Sequence, residues 1–372
     1  MYFSTTDFLT ILYFLFCVPQ LLFWGIITPL NLWKKKVKIK SFQKPVSVII
    51  AARNEENSLP KLLKALVLQK YHDYEIIVIN DRSSDNTEKI IDGFALKYPS
   101  IKKINIDTLP HNNSPKKNAL TKGIESASNK YLLFTDADCY PSSSLWIQEM
   151  SSQFISSDLI LGVGLYTCND KSNVEVFTQF ETLHTALLYT SLSNVGVNYM
   201  GVGRNIAYTK QLWKSADGFE QHKTILSGDD DLFVNQVAKK ERTISYFSKK
   251  AITYSKPPIT WKEWFRQKTR HLSAGYHYKF SNKLILGTLS TSHIAVYFIY
   301  LLLLPLEVTN LIHLSILFLI RIMLVIICFK KFSAVLGEKI KWWKVPILDI
   351  MLIAYQIIIG VSSVISKRKT WI

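Results

Sequence analysis

A stretch of about 22 residues without a single charge, Leu9 to Leu30, constrains this chain before anything else does. At a helical rise of about 1.5 Å per residue it is long enough to cross a hydrocarbon core of about 30 Å. Trp33, Lys34, Lys35, Lys36, Lys38 and Lys40 come directly after it. A cleaved secretory signal carries its basic residues ahead of the apolar run, so this one reads as a retained anchor over 1–33. Lysines gather on the cytoplasmic side of a membrane, which places the amino terminus outside and everything after Leu32 in the cytoplasm, at the cell membrane.

Two further apolar runs, about 284–306 and 308–329, have hardly any loop between them and predict a helical hairpin. The hairpin leaves Lys330 and Lys331 on the same side as residues 34–280, in agreement with the charge rule. A third run, about 345–365, leaves the topology open. As a full span it puts Lys367, Arg368 and Lys369 outside, against the charge bias; the alternatives are a shallow or re-entrant segment, or a tail that tolerates the violation. Residues 283–372 are thus expected to form a carboxyl-terminal transmembrane region. Arg321 lies inside the second hairpin arm, where a charge is costly in lipid, and is expected to face protein or to snorkel.

Of the 372 residues, 48% are hydrophobic and 20% charged, and 45 Lys+Arg against 28 Asp+Glu give a net charge of +17. That excludes a disordered tail and a purely basic nucleic-acid arm. The lysines cluster beside the spans, as topology alone demands, so no nucleic-acid partner is expected. Four cysteines without C-x-x-C spacing and eight histidines without H-E-x-x-H offer nothing to a zinc or histidine-metal site. Cys17 and Cys328 sit in apolar runs and read as small buried hydrophobes.

Residues 45–258 differ in character. VSVII (46–50) and EIIVI (75–79) are continuous apolar runs of strand length, the pattern of strands buried on both faces of a parallel sheet. Leu59, Leu62, Leu63, Leu66 and Val67 between them recur at helical spacing. Helices over 84–98 and 117–128, a weak strand over 102–106 and a strand over 131–135 (YLLFT) complete an open α/β sheet. Ligands of such a sheet lie at the carboxyl ends of its strands.

Polar clusters stand at those ends. Ala52-Arg53-Asn54-Glu55-Glu56 comes after the first strand, Asn80-Asp81-Arg82-Ser83-Ser84-Asp85 after the second, and Asp136-Ala137-Asp138 after the strand YLLFT. One such cluster is ordinarily a turn or a helix cap, and Ser84 or Asp85 is expected to cap its helix; three in one sheet point to a nucleotide site. Two carboxylates at the end of one buried strand are unfavourable without a cation, and Mg2+ or Mn2+ at Asp136 and Asp138 would relieve them. Such an ion takes its remaining ligands from diphosphate oxygens and water, and acts as a Lewis acid towards the leaving diphosphate.

Gly228-Asp229-Asp230-Asp231-Leu232 opens a predicted helix over 231–239. Acids there favour the helix dipole, and one of them can also serve as a general base towards an acceptor hydroxyl. Residues 259–282 form an aromatic, basic, amphipathic segment suited to a membrane surface. Within it Gln267 and Arg270 share a helical face, from which they can reach a diphosphate and an acceptor together.

These residues resemble the membrane-bound glycosyltransferases of family 2, with the GT-A fold, over Val46 to about His271. VSVIIAARNEE is similar to the family's first strand and nucleotide-binding turn. NDRSSDNT is similar to its D-D-x-S-x-D-x-T segment, with Asn80 in place of the first Asp; the second, Asp81, is the residue that recognises the uracil ring in the family. SPKKNALTKG is similar to the K-x-x-A-L-x-x-G stretch and puts Lys116 near the nucleotide. DADC corresponds to the metal-binding D-x-D, and GVGRNIAY, with Gly203 and Asn205, followed by Gly218-Phe219, to the stretch lining the acceptor site. GDDD stands where the T-E-D or E-D motif carries the base, so Asp230 aligns in one register and Asp229 in the other; Asp230 is favoured. Gln267-x-x-Arg270-His271 resembles the Q-x-x-R-W of processive members, but His271 replaces Trp.

The resemblance implies an α/β, GT-A type doubly wound sheet domain with transmembrane helices at both ends. Its nucleotide-binding residues would be Ala52, Arg53, Glu55, Asp81, Lys116 and Asp136. It implies one inverting displacement from a nucleotide sugar, a UDP-sugar by the Asp81 match, onto a hydroxyl of a lipid, a lipid-linked glycan or a growing glycan. Three or four spans are few for a polymer channel, so a processive synthase would need a second copy or a partner subunit. A non-catalytic basic membrane protein binding anionic lipid is the alternative from another class.

Overall fold

The structure, a computed structural model, describes residues 4–34, 42–110, 113–169, 172–306 and 311–365. Lys35, Lys36, Lys38 and Lys40, and Lys367, Arg368 and Lys369 at the other end, lie outside the described residues, as does the side chain of His271.

The apolar strand runs form the centre of the sheet. β1 (Val46–Ala52) pairs in parallel with β2 (Tyr74–Asp81) and with β4 (Tyr131–Phe134), and β2 in parallel with β3 (Ile101–Ile106). α3 (Leu59–Val67), α4 (Thr87–Lys97) and α5 (Pro115–Ser126) make the connections. Alternation along β1 divides the core between the faces: Val48 and Ile50 pack with Leu59, Leu62, Leu63 and Leu66 of α3, whereas Ile49 turns to the opposite face with Ala119 and Ile124 of α5. The helices and strands expected between residues 46 and 135 are all present, with ends shifted by no more than three residues.

Beyond β4 the sheet is mixed. After β5 (Cys139–Pro141), α6 (Trp146–Ser151), β6 (Leu159–Leu161) and β7 (Gly164–Tyr166), the chain runs through the long helix α7 (Asn173–Asn194) and enters β8 (Ile206–Thr209) from the carboxyl-end side. β8 is therefore antiparallel to both β4 and β6. With α8 (Lys210–Ser215), α9 (Asp231–Val237) and β9 (Thr243–Ser245), the order becomes β3-β2-β1-β4-β8-β6-β9. A second sheet, β5-β10-β7, uses β10 (Thr253–Ser255).

Helices at both ends meet beside this domain. α1 (Thr5–Leu22) continues through a π-helical turn, Phe23–Ile27, into α2 (Thr28–Leu32). α10 (Trp261–Gly275), opened by a Thr260–Glu263 capping box, leads to α11 (Phe280–Leu303), α12 (Leu311–Leu336) and α13 (Val345–Ile365). Thr5–Leu32, Phe280–Leu306 and Leu311–Leu336 are long and apolar enough to cross a membrane. α13 packs against α12, α10 and α7. Arg321 of α12 faces protein, as one of the two expectations had it. Its guanidinium pairs with Asp349 of α13, which the third apolar run had concealed, and also reaches Tyr297 of α11 at 3.0 Å and Gln20 of α1 at 3.3 Å.

Candidate active site

The first two strand ends are laced to each other. Asn54 stands at φ +57° just past β1, where its backbone N donates to Ser83 Oγ (3.1 Å) and its side-chain Oδ1 accepts from Ser84 N (2.8 Å). Glu55 N donates to Thr87 Oγ1 (2.7 Å), and Glu56 N to Asp85 Oδ2 (3.1 Å). Asp85 Oδ1 also accepts from Thr87 N at 3.0 Å, so it ties the first residue of α4 from one position ahead of the N-cap, which is Asn86 and not Ser84 or Asp85. Ser83, Asp85 and Thr87 thus hold the β1 turn open towards the cavity. Asp81 closes β2, 2% exposed and gripped by both arms of Arg82 at 2.8 and 3.1 Å.

Asp136 and Asp138 stand just past β4, and their carboxylate oxygens lie within 4.8 Å of each other and of Cys139 Sγ. Desolvation, then the charge of Asp136, push the Asp138 carboxyl upward. Two close carboxylates fit a hard divalent cation; the buried Cys139 thiol, raised well above its ordinary range by burial, donates to Asp138 Oδ1 at 3.3 Å and is a poor ligand for such an ion. Lys116, on the first turn of α5, bridges Asp136 Oδ1 and Asp229 Oδ2, each at 2.9 Å. Burial opposes its charge, yet Asp136, Asp229 and Asp230 outweigh that and raise its pKa well above the usual.

The three acids at the start of α9 have three environments. Burial works to raise Asp229, but the Lys116 ammonium prevails and holds the carboxyl below its usual range. Asp230 is the N-cap: Oδ1 accepts from Asp231 N (2.8 Å) and Oδ2 from Gly203 N (2.5 Å). Burial, then the neighbouring charge of Asp229, push it up to about 6. Asp231 is buried and accepts from the Tyr278 hydroxyl at 2.8 Å. Glu55 is pushed up to about 7, by burial and then by Asp138.

One cavity of about 910 Å³ joins these groups. Ala52, Arg53, Glu55, Asp81, Lys116, Asp136, Asp138, Gly203, Asp229, Asp230, Gln267 and Arg270, all singled out from the sequence, converge on its lining. Asn205 does not join them. It is fully buried, its amide donating to Val163 O (2.7 Å) and Ala251 O (2.8 Å) while its oxygen accepts from Trp146 Nε1 (3.0 Å), so it is a scaffold residue. Gly218 and Phe219 lie in the core beside Trp213 and likewise stay off the cavity wall.

Glu181 and Tyr189 of α7, Leu286 of α11 and Tyr355 of α13 line the same cavity. α10 is more than a surface helix: Trp264 packs on Phe177 and Tyr355, and Lys268 is ion-paired with Glu181. Lys117, next to Lys116 and not among the residues expected at the site, is buried, and its ammonium donates to the carbonyls of His222 (2.7 Å), Ile225 (2.9 Å) and Ser227 (2.9 Å). Those bonds fix the loop leading to Asp229; the signal was there, in a second lysine beside Lys116.

Comparison with known proteins agrees with this geometry. Residues 47–208 match Glycosyl transferase family 2 and residues 148–358 match Glycosyl transferase family group 2. The chain therefore belongs to glycosyltransferase family 2, and its α/β domain has the GT-A fold. It is 30% identical over 255 residues to the probable glycosyltransferase YdaM of Bacillus subtilis (strain 168), an alignment covering 64% of this chain and 57% of that protein. Over 93 residues it is 38% identical to the poly-beta-1,6-N-acetyl-D-glucosamine synthase of a Staphylococcus epidermidis strain, covering 25% of this chain and 21% of that one. The chain thus spans little more than half, or about a fifth, of these relatives' length. The mannosyltransferase PcManGT of Pyrobaculum calidifontis, solved with GDP-Man and Mn2+, shares the fold across 98% of this chain and 99% of that one, with a TM-score of 0.59 and 15% identity. Membership of this family favours the enzyme reading over that of a non-catalytic lipid-binding protein.

Proposed function

We propose that this chain is a membrane-bound inverting transferase that moves a sugar from a nucleotide sugar, a UDP-sugar in the first instance, to a hydroxyl of a lipid or lipid-linked acceptor. The observation that carries the proposal is the continuity of the cavity, from the acids at the strand ends to side chains on α11 and α13. A donor at the strand ends and an acceptor arriving along the membrane helices would meet beside Asp230.

Asp230 is the general base. It is the more basic of the pair it forms with Asp229, and each of its oxygens keeps a lone pair beyond the backbone bond it accepts. The acceptor oxygen loses its proton to Asp230 and forms the new bond to the anomeric carbon. The bond from that carbon to the diphosphate breaks, with its electron pair leaving on the diphosphate. Asp136 and Asp138 are the residues that would hold Mg2+ or Mn2+, which supplies Lewis-acid stabilisation of the leaving group when bound. Lys116 keeps Asp229 ionised and occupied, leaving Asp230 for the proton. Gln267 and Arg270, one turn apart on α10, hold the donor diphosphate and the acceptor together. The catalytic part, 45–258, faces the cytoplasm, where nucleotide sugars are made, with 1–33, 259–282 and 283–372 as anchor, interfacial segment and membrane region. Processive polysaccharide synthesis, with a second copy or a partner subunit, is the second reading, supported by the local likeness to the Staphylococcus synthase.

The test is substitution. Asp138→Ala and Asp230→Asn should abolish sugar transfer while leaving membrane insertion and cooperative melting intact, with Asp230→Asn melting somewhat lower because one of two backbone donors loses its acceptor. Variants that insert normally and still transfer would sink the assignment.

A further inference from the structure

Arg204 also lines the cavity, between Gly203 and Asn205, and its backbone is fixed from three directions. Gly203 N is held by Asp230, the Asn205 amide is locked in the core, and Arg204 O accepts from Thr253 Oγ1 at 2.9 Å. The side chain has a prepared seat. Its stem crosses Gly164, where a Cβ would fall 2.5 to 2.6 Å from Arg204 Cγ, Cδ and Nε, so only glycine leaves the path open. The guanidinium lies over the Tyr166 ring, 4.5 Å from its centroid, and Nη1 donates to Ser255 Oγ at 3.1 Å.

This seat is the small sheet. Ser255 of β10 stands opposite Tyr166 of β7 on one side and opposite Cys139 of β5 on the other, and Cys139 is the next residue after Asp138. These three-residue strands do more than pack: they register a guanidinium against the D-x-D turn. Lys116 and Lys268, which also line the cavity, are bound to carboxylates, whereas Arg204 is held by an aromatic face and a hydroxyl, both neutral. The charges of Asp136 and Asp138 act on it without closing an ion pair among the described residues. A planar fork presented beside two acids and held by neutral groups is arranged for an oxyanion that arrives with the substrate.

Building on the donor reading above, we propose that Arg204 is a donor-binding residue that takes the distal, sugar-bearing phosphate of the nucleoside diphosphate, and that the β5-β10-β7 sheet is its mount. Charge develops on that phosphate as the glycosidic bond breaks, so a fixed guanidinium there serves binding and departure alike.

The experiment is calorimetric binding of UDP and GDP, and of UMP and GMP, to the purified full chain in detergent with Mn2+. Arg204→Ala should weaken the diphosphate by about tenfold or more and leave the monophosphate within about twofold, because a lost charge-assisted contact affects only the ligand that makes it. Arg204→Lys should recover part of the loss, since it restores charge but not the fork. Gly164→Ala keeps the arginine and displaces its stem, so it should copy Arg204→Ala. The proposal is overturned if Arg204→Ala binds diphosphate like wild type, if it loses both nucleotides equally, or if only its KM for a lipid-phosphate acceptor changes. Wild-type protein that melts cooperatively yet binds neither diphosphate would overturn the donor reading itself.

Discussion

Asp349→Ala is the most informative single change in the helical bundle. Arg321 and Asp349 are each 1% exposed, and the Asp349 carboxylate has four contacts from side chains of two other helices. Both arms of Arg321 reach it, the second at 3.3 Å; the Tyr297 hydroxyl donates at 2.6 Å, and His293 Nε2 lies 3.3 Å away. Removing the carboxylate leaves the guanidinium buried and uncompensated, which costs about 3 to 5 kcal/mol, and deprives Tyr297 of its acceptor for about 1 kcal/mol more. A total of about 4 to 6 kcal/mol approaches the whole stability of many domains. Asp349→Ala should therefore lower the thermal midpoint sharply in detergent or nanodiscs. The double variant Arg321→Met/Asp349→Leu should regain most of that, because an apolar pair of similar volume removes both charges together. Tryptophan fluorescence melts of the four proteins of the cycle measure it. A single variant as stable as wild type, or a double variant that loses the sum of the two singles, would refute the claim that the ion pair governs this site.

Lys117→Met should lose about 2 to 4 kcal/mol, since three carbonyls are left without a charged donor, and transfer should fall as the loop before Asp229 loosens; unchanged melting would exclude a latch. Asp230 must be ionised to act as base, so protonation below about 6 should reduce kcat/KM about tenfold per pH unit on the acid side; a profile that stays flat between about pH 7 and 5 would contradict this role. Chelation should stop transfer reversibly, with Mn2+ or Mg2+ restoring wild type but not Asp138→Ala.

The strands and the strand-end lining of the cavity were legible in the sequence because both obey local rules. β-branched runs must be buried on two faces, and an open sheet gathers the turns at its carboxyl strand ends around one crevice. Asp136, Asp138, Glu55 and Asp81 needed no tertiary information beyond that. α7 was not foreseen, because this 22-residue helix is buried on most of its circumference and carries Glu181, Thr178, Gln179 and Thr182 inside, which erases the one-sided period that marks a surface helix. The three-residue strands of the second sheet are too short for an alternation to register. Arg204 stood between two residues that were singled out, Gly203 and Asn205, and what distinguishes it is the space above Gly164, a fact of packing. Asn205 matched a motif by position, yet its amide satisfies backbone groups in the core. Asp349 is a lone acid in an apolar run, and only the packing of α13 on α12 brings it to Arg321.

The proposed transfer is tested most directly by incubating membranes that contain the folded chain with a panel of radiolabelled nucleotide sugars, with and without Mn2+. The expected result is metal-dependent label in the lipid-extractable fraction from a UDP-sugar, absent with Asp138→Ala and Asp230→Asn; label in insoluble, high-mass material instead would make the chain a polysaccharide synthase. Absence of incorporation from every donor, in membranes where the protein is folded, would contradict the proposal.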